Sequence, residues 1–230
     1  MVMLVNPHWL RPAGRQALTA AAPYIAWAAG AAAPARTLDL TAMGLQENDV
    51  VIVAICQDAY GYSDPAFVSS GWTEYADQGW GAGTSDNQLV LGWKRMGSSP
   101  DTSVTMTTNS ARPAAGMAYA IRGLPTSGSP IASSSGAGAN TGTAIDPNAV
   151  NTTFAGQLVV VVASAVRPTV GITQPSNELI DFFAARCGAI DQPAIAFGSY
   201  LKATAGSFNP VALAGGTSGG AFCHVTTALT

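Results

Sequence analysis

Residues 50–57 read VVIVAICQ and residues 157–165 read QLVVVVASA, and these two stretches decide the fold. A continuous apolar run of this length predicts a central strand that is buried on both faces. Around the two runs, short segments rich in Val, Thr and aromatic residues alternate with clusters of Gly, Pro, Ser and Asn. This alternation is typical of strands and turns rather than of helices.

The segments on either side of these two runs complete an all-β pattern. In 116–122, Met117, Tyr119 and Ile121 alternate with smaller residues, as in a half-buried strand. The other predicted strands are 72–76, 88–94, 103–108, 178–184, 194–202, 208–213 and 220–228. The sequence therefore predicts an eight- to ten-stranded β-sandwich or jelly roll.

Three sequence blocks recur at nearly the same distance and predict an internal duplication. Asp49 matches Gln157, Trp93 matches Tyr200, and Gly116 matches Gly220, at offsets of 108, 107 and 104 positions. The predicted quasi-repeat halves are 37–124 and 152–230. The Gly-, Ser- and Thr-rich stretch 125–151 is the predicted linker, a crossover loop. Whether the halves form one sandwich or two packed domains stays open.

The segment 1–36 precedes the sandwich and contains an uncharged run, 17–35. Three interpretations compete. A secretory signal would end near Ala33–Ala35, and a membrane span would be interrupted by two prolines and a glycine. The favoured interpretation is an extended N-terminal arm that lies on a neighbouring subunit. Its candidate inter-subunit contacts are Trp9, Tyr24, Ile25 and Trp27.

Composition narrows the function classes. Only 10% of the 230 residues are charged, and the net charge is −3. A typical soluble domain carries about 25% charged residues. A surface with so few charges suits a subunit that is covered by neighbours, including copies of itself. A trimer is the predicted oligomer. Ten scattered Lys and Arg residues disfavour nucleic-acid binding. No membrane partner is expected.

The sequence contains few residues in the patterns that catalysis or metal binding requires. The two histidines, His8 and His224, are far apart in the sequence. The three cysteines have no Cys-x-x-Cys spacing and are odd in number, so they predict neither a zinc site nor a disulfide framework. The Gly216–Gly220 segment is similar to the nucleophile loop of chymotrypsin-like proteases but lacks a matching histidine context, and it reads equally as a hairpin loop. We therefore expect no enzyme, no cofactor and no metal.

The region 58–86 is the one stretch with ligand-binding character. It combines acids with aromatic residues, a mixture with which sandwich folds bind sugars. Its acids are Asp58, Asp64, Glu74, Asp77 and Asp86, and its aromatic candidates for ligand or partner contact are Tyr60, Tyr62, Trp72, Tyr75 and Trp80. The favoured alternative places Trp72 and Tyr75 in the core.

Several motifs resemble a β-sandwich module of bacteriophage structural proteins. They are Asn48-Asp49 before the first apolar run, Gly71-Trp72-Thr73, Trp93-Lys94-Arg95, the Thr-rich 103–108, and Tyr119 to Gly123. The resemblance covers about 45–124 well and the second half weakly.

The resemblance implies a virion protein without catalytic residues. The leading expectation is a head decoration or cement protein on the particle surface, bound to the major capsid protein and to its own copies. One alternative is a tail fibre or minor tail protein that contacts host surface glycans. Another is a secreted bacterial β-sandwich adhesin.

Overall fold

The computed structural model describes residues 19–20, 25–29, 35–58, 65–81, 86–108, 113–139, 143–166, 171–176, 178–186, 193–215 and 220–230. This part of the chain is almost entirely β, with one 3-10 turn at Thr41–Met43. The strands are β1 (Thr19–Ala20), β2 (Ile25–Ala29), β3 (Ala35–Asp39), β4 (Val50–Gln57), β5 (Ala66–Phe67), β6 (Thr73–Trp80), β7 (Asn87–Arg95), β8 (Ser103–Thr107), β9 (Ala114–Arg122), β10 (Ile131–Ala139), β11 (Ala144–Ile145), β12 (Val150–Thr152), β13 (Gln157–Ala165), β14 (Ile180–Arg186), β15 (Ala194–Lys202), β16 (Gly206–Phe208), β17 (Leu213–Ala214) and β18 (Phe222–Leu229).

The first half builds one large and one small antiparallel sheet. The large sheet has the order β9-β4-β7-β6, and β1 and β2 both pair with the outer edge of β9. The small sheet has the order β3-β8-β5. If β2 is counted as the first strand, then β2, β9, β4 and β7 of the large sheet are strands one, eight, three and six. The small-sheet strands β3, β8 and β5 are then strands two, seven and four. This connectivity is that of a jelly roll, with the fifth strand, β6, at the edge of the large sheet.

The second half repeats this arrangement. Its large sheet has the order β10-β18-β13-β15-β14. The small-sheet strands are shorter: β12 pairs with β16, β11 pairs with β17, and Thr173 bridges to Ala214 in the place where β5 pairs with β8. The predicted all-β sandwich with internal duplication is confirmed, and each half is a jelly roll of its own. The predicted count of eight to ten strands is too low, because it omitted the short strands and those between the halves.

Strand registers align the halves residue by residue. Val53 lies opposite Gly92 in the first half, and Val161 lies opposite Gly198 in the second. These pairs give an offset of 108 positions for β4 and β13 and of 106 for β7 and β15. The predicted match of Asp49 with Gln157 agrees with this alignment.

Two of the predicted matches are wrong. The match of Trp93 with Tyr200 is off by one position, and a one-residue slip turns a side chain to the other face of a strand. Trp93 packs on the core between the large sheets, whereas Tyr200 packs on an outer core. Gly116 corresponds to His224, because Gly116 pairs with Ile55 as His224 pairs with Ala163.

A β-bulge recurs at the same place in both halves. It falls between Glu74 and Ala76 in β6 and between Ile180 and Phe183 in β14. Opposite each bulge stands a glycine that a side chain could not replace without displacement of a neighbour. A Cβ atom on Gly92 would lie 2.4 Å from the Phe67 ring, and one on Gly198 would lie 2.8 Å from Leu179.

The stretch 125–151 is not a plain crossover loop. It contains β10, β11 and β12, and β10 occupies in the second half the edge position that β1 and β2 occupy in the first. Sequence patterning missed β10 because its residues, IASSSGAGA, are small rather than β-branched or aromatic.

The described part of 1–36 pairs with the chain's own sheets. In β2, Ile25 lies opposite Ala118 and Trp27 lies opposite Gly116, while β3 pairs with β8. These residues therefore extend the first jelly roll instead of projecting away from it. Trp9 and Tyr24, the other predicted arm contacts, lie outside the described residues.

The two jelly rolls pack back to back through their large sheets. Along β4, alternate residues from Val50 to Cys56 face the second half, and the residues between them face the small sheet of the first half. β13 divides its residues in the same way. This double burial explains why both central strands are continuous apolar runs.

The packing of the halves approximates a two-fold axis. β6 lies against β10 as β14 lies against β2, and β7 lies against β18 as β9 lies against β15. Polar contacts cross the interface near the ends of β4 and β13. Cys56 Sγ donates to the Ala194 carbonyl at 3.6 Å, and Asn87 Nδ2 donates at 2.9 Å to the hydroxyl of Ser164, which occupies the position equivalent to Cys56.

A buried carboxylate ties the start of β4 to the end of β9. Asp49 accepts hydrogen bonds from Arg122 Nε at 2.8 Å and Nη2 at 2.7 Å, and from the Gln46 amide at 2.7 Å. At the equivalent position, Gln157 accepts from the Thr153 amide and donates to the Leu229 carbonyl. Both residues therefore close their sandwich at the same corner.

Substitution of Gly138 by Ala tests the contact between β10 and β6. A Cβ atom there would lie 2.8 Å from the backbone oxygen of Gly79, which cannot rotate away. We expect a loss of about 1–3 kcal/mol in the free energy of unfolding, measured by urea denaturation. Gly97→Ala is the control, because nothing lies within 4 Å of its Cβ position. Equal stability of the two variants would contradict the close approach of the strands.

Substitution of Arg122 by Met tests the corner ion pair. The variant leaves the buried Asp49 carboxylate with only its Gln46 amide, so we expect a loss of about 2–3 kcal/mol in the free energy of unfolding. The double variant Asp49→Asn/Arg122→Met removes the unpaired charge and should be more stable than Arg122→Met alone. A double variant that is less stable than the single one would refute this account.

Candidate functional site

The predicted aromatic contact residues do not form one surface. Trp72 is half buried over the outer core of the first half, where its ring stacks on Phe67 with centroids 5.6 Å apart. Its indole Nε1 donates to Asp101 Oδ2 at 3.3 Å. Tyr75 lies on the opposite side of the same sheet, packed against the core between the halves. For these two residues the alternative of a core role is therefore the one observed.

Tyr75 and Trp80 are both partly buried along β6. The Tyr75 hydroxyl lies 3.4 Å from Thr227 Oγ1, and burial raises the pKa of Tyr75 well above its ordinary value. Trp80 is half buried at the end of β6, and its Nε1 has no hydrogen-bond partner among the described residues. Tyr60 and Tyr62 lie outside the described residues.

The acids of 58–86 are dispersed. Asp58 is buried at the end of β4, while Glu74 and Asp77 are exposed on β6. Asp64 lies outside the described residues. Within the described ranges, no three His, Cys, Asp or Glu side chains converge as a metal site requires.

His224 occupies the face of β18 that is turned toward the small sheets of the second half. It is 4% exposed, and neither ring nitrogen has a hydrogen-bond partner among the described residues. Burial lowers the pKa of His224, and the nearby Asp146 opposes this effect in part. The residue is therefore a neutral core histidine. Gly216–Gly219, which would carry the nucleophile of a protease, lie outside the described residues.

A concave polar surface lies at one corner of the first half. It is shallow and open to solvent, with a volume of about 470 Å³ between Ser69 and Ser70, which precede β6, and the turn that joins β7 to β8. Lys94, near the end of β7, crosses this surface to Asp101, with Nζ 2.9 Å from Oδ1 and 2.7 Å from Oδ2. The same Nζ donates to the Ser70 carbonyl at 3.0 Å.

The backbone at Gly71 makes this arrangement possible. Gly71 has a φ of +78°, and a Cβ atom there would lie 3.2 Å from Lys94 Cε. The glycine thus permits both the turn and the passage of the lysine chain. Two motifs singled out in the sequence, Gly71-Trp72-Thr73 and Trp93-Lys94-Arg95, therefore meet on a single carboxylate.

Sequence reasoning missed Asp101, which supplies that carboxylate. The residue lies in the turn before β8, seven positions after Lys94, and is accompanied by Pro100 and Thr102. Its sequence context is that of an ordinary polar turn. Only the pairing of β7 with β6 brings Trp72 and Lys94 to it.

Comparisons with protein-family models, with curated proteins and with solved structures gave no match to this chain. Among the described residues, no helix is long and apolar enough to span a bilayer.

Replacement of His224 by Leu tests its buried neutral state. The folded-state pKa lies below the unfolded value of about 6.5. The unfolded chain thus binds more protons below that pH, and the folded protein loses stability as the pH falls through and below this value. We expect the free energy of unfolding to fall more from pH 7.5 to pH 5 in the native chain than in His224→Leu. An identical fall in both proteins would assign the acid sensitivity to other groups.

Proposed function

We propose that this chain is a non-enzymatic structural subunit of a bacteriophage particle, and most specifically a decoration or cement protein on the head. The observation that carries the proposal is the back-to-back pair of jelly rolls, with the central strand of each large sheet buried on both faces. Jelly rolls recur in viral coat proteins, where stacked sheets give a rigid block. Such a block suits a mechanical role.

The outer surface of the first half favours contact with neighbouring subunits. On β3 and β8 the outward residues are mainly Thr and Ser, and Thr37 Oγ1 lies 2.9 Å from Thr105 Oγ1. Apart from Ala35 and the carboxylate Asp39, this face presents hydroxyl groups, which cost less to desolvate than charged groups do. The ion pairs Lys94–Asp101 and Arg122–Asp49 each join residues of the same half. The partners proposed are the major capsid protein and further copies of this chain.

The alternatives fare differently. A secreted adhesin cleaved near Ala35 would lose β1 and β2, and the edge of β9 would then be unpaired. A tail protein that contacts host glycans draws no support from Trp72 and Tyr75, because both pack against cores. The concave surface around Lys94 offers that role a different site.

Localisation on particles tests the proposal. Antibodies raised against the purified chain are applied to intact particles from lysates of the host that carries the gene, and the same particles are imaged by cryo-electron microscopy. We expect labelling on the head and regular exterior density that accommodates two stacked jelly rolls. Labelling of the tail alone would overturn the decoration role, and absence from all particles would overturn the virion role.

A further inference from the structure

We propose that the concave surface around Lys94 and Asp101 binds a neutral saccharide. This inference goes beyond the structural role, and a decoration protein and a tail protein could both carry such a site. Three observations support it: the two halves differ at this corner, the side chains of the corner are rigidly held, and the charges of Lys94 and Asp101 cancel.

The second half places different residues at the equivalent corner. The position equivalent to Lys94 is Tyr200, because Lys94 lies opposite Val51 as Tyr200 lies opposite Val159. Tyr200 stacks on Phe208 with ring centroids 4.3 Å apart and contributes to an outer core. The fold therefore accepts an apolar aromatic pair at this corner, and such a pair stabilises the sandwich.

The first half keeps a charged pair where the second half has aromatic packing. The side chains of Lys94 and Asp101 are 21% and 25% exposed, and partly exposed ion pairs add little to stability. Folding alone thus does not require these two residues. A ligand that hydrogen-bonds to the Asp101 carboxylate, which Lys94 holds in place, gives a reason for the asymmetry.

The corner is held rigid before any ligand arrives. Lys94 Nζ is fixed by both Asp101 oxygens and by the Ser70 carbonyl, and Trp72 fixes Asp101 from below through its indole nitrogen. Trp72 is itself held by its stack on Phe67. Side chains that are already ordered lose little entropy on binding, so weak polar contacts can yield measurable affinity.

The chemistry of the lining favours a neutral polyhydroxylated ligand. The charges of Lys94 and Asp101 cancel, so neither an anion nor a cation is favoured overall. The carboxylate retains lone pairs that can accept hydrogen bonds, and the hydroxyls of Ser70, Thr102 and Ser103 can both donate and accept. Pyranose hydroxyls are matched donors and acceptors of the same kind. The volume of about 470 Å³ falls within the range of small-molecule sites.

The test begins with an array of neutral and anionic oligosaccharides probed with the full-length chain, and each glycan bound is then titrated by calorimetry. The variants are Asp101→Asn and Lys94→Met. The control is Lys202→Met, which makes the same change at the end of the equivalent strand β15. Thermal unfolding of all variants establishes that they are folded.

We expect a neutral glycan to bind, with affinity at least about tenfold weaker in both corner variants and unchanged in Lys202→Met, since each corner variant leaves polar groups of the site unpaired. Absence of any bound glycan, or binding that both corner variants retain, would overturn the proposal. Binding of anionic glycans that depends on Lys94 but not on Asp101 would also overturn it. Any of these three outcomes would leave the localisation experiment unaffected.

Discussion

The double burial of the two central strands is the constraint on which the rest of the molecule depends. β4 and β13 each place one set of apolar residues against the opposite half and the other set against a small sheet. A strand of this kind is stable only when both of its faces are covered. The small sheets, the stacking of the halves and the polar closure at Asp49 and Gln157 all follow from the need to cover them.

This constraint is also what made the fold predictable. The apolar runs 50–57 and 157–165 predicted two central strands, and the distance between them in the sequence indicated the duplication before any strand register was known. The prediction did not extend to β10, whose small residues are explained by its close approach to the backbone of β6 at Gly138. It also misaligned Trp93 with Tyr200, because the connection from β4 to β7 is two residues longer than the one from β13 to β15, and sequence spacing alone cannot place such a difference.

The site was less accessible to sequence reasoning than the fold. Aromatic residues and acids drew attention to 58–86, yet the same residue types serve as packing and as ligand contacts, and burial alone separates the two roles. Gly71, Trp72 and Lys94 were identified as motif residues, but their common partner, Asp101, lies in an unremarkable turn. The duplication then supplied what a set of homologues would otherwise provide, since each half is an internal reference for the other. Differences such as Lys94 against Tyr200, or Gly116 against His224, are departures from a shared scaffold.

The back-to-back packing also has a consequence for biosynthesis. The first jelly roll leaves the ribosome with the inner face of its large sheet uncovered, because the residues that cover it belong to strands about 108 positions later in the chain. At about 5–20 residues per second, the ribosome needs roughly 5–20 s to supply them. During that interval nascent chains on one polysome present identical apolar faces to one another. Correct pairing within a chain therefore competes with pairing between chains, and chaperone capacity and translation speed become determinants of the yield of native protein.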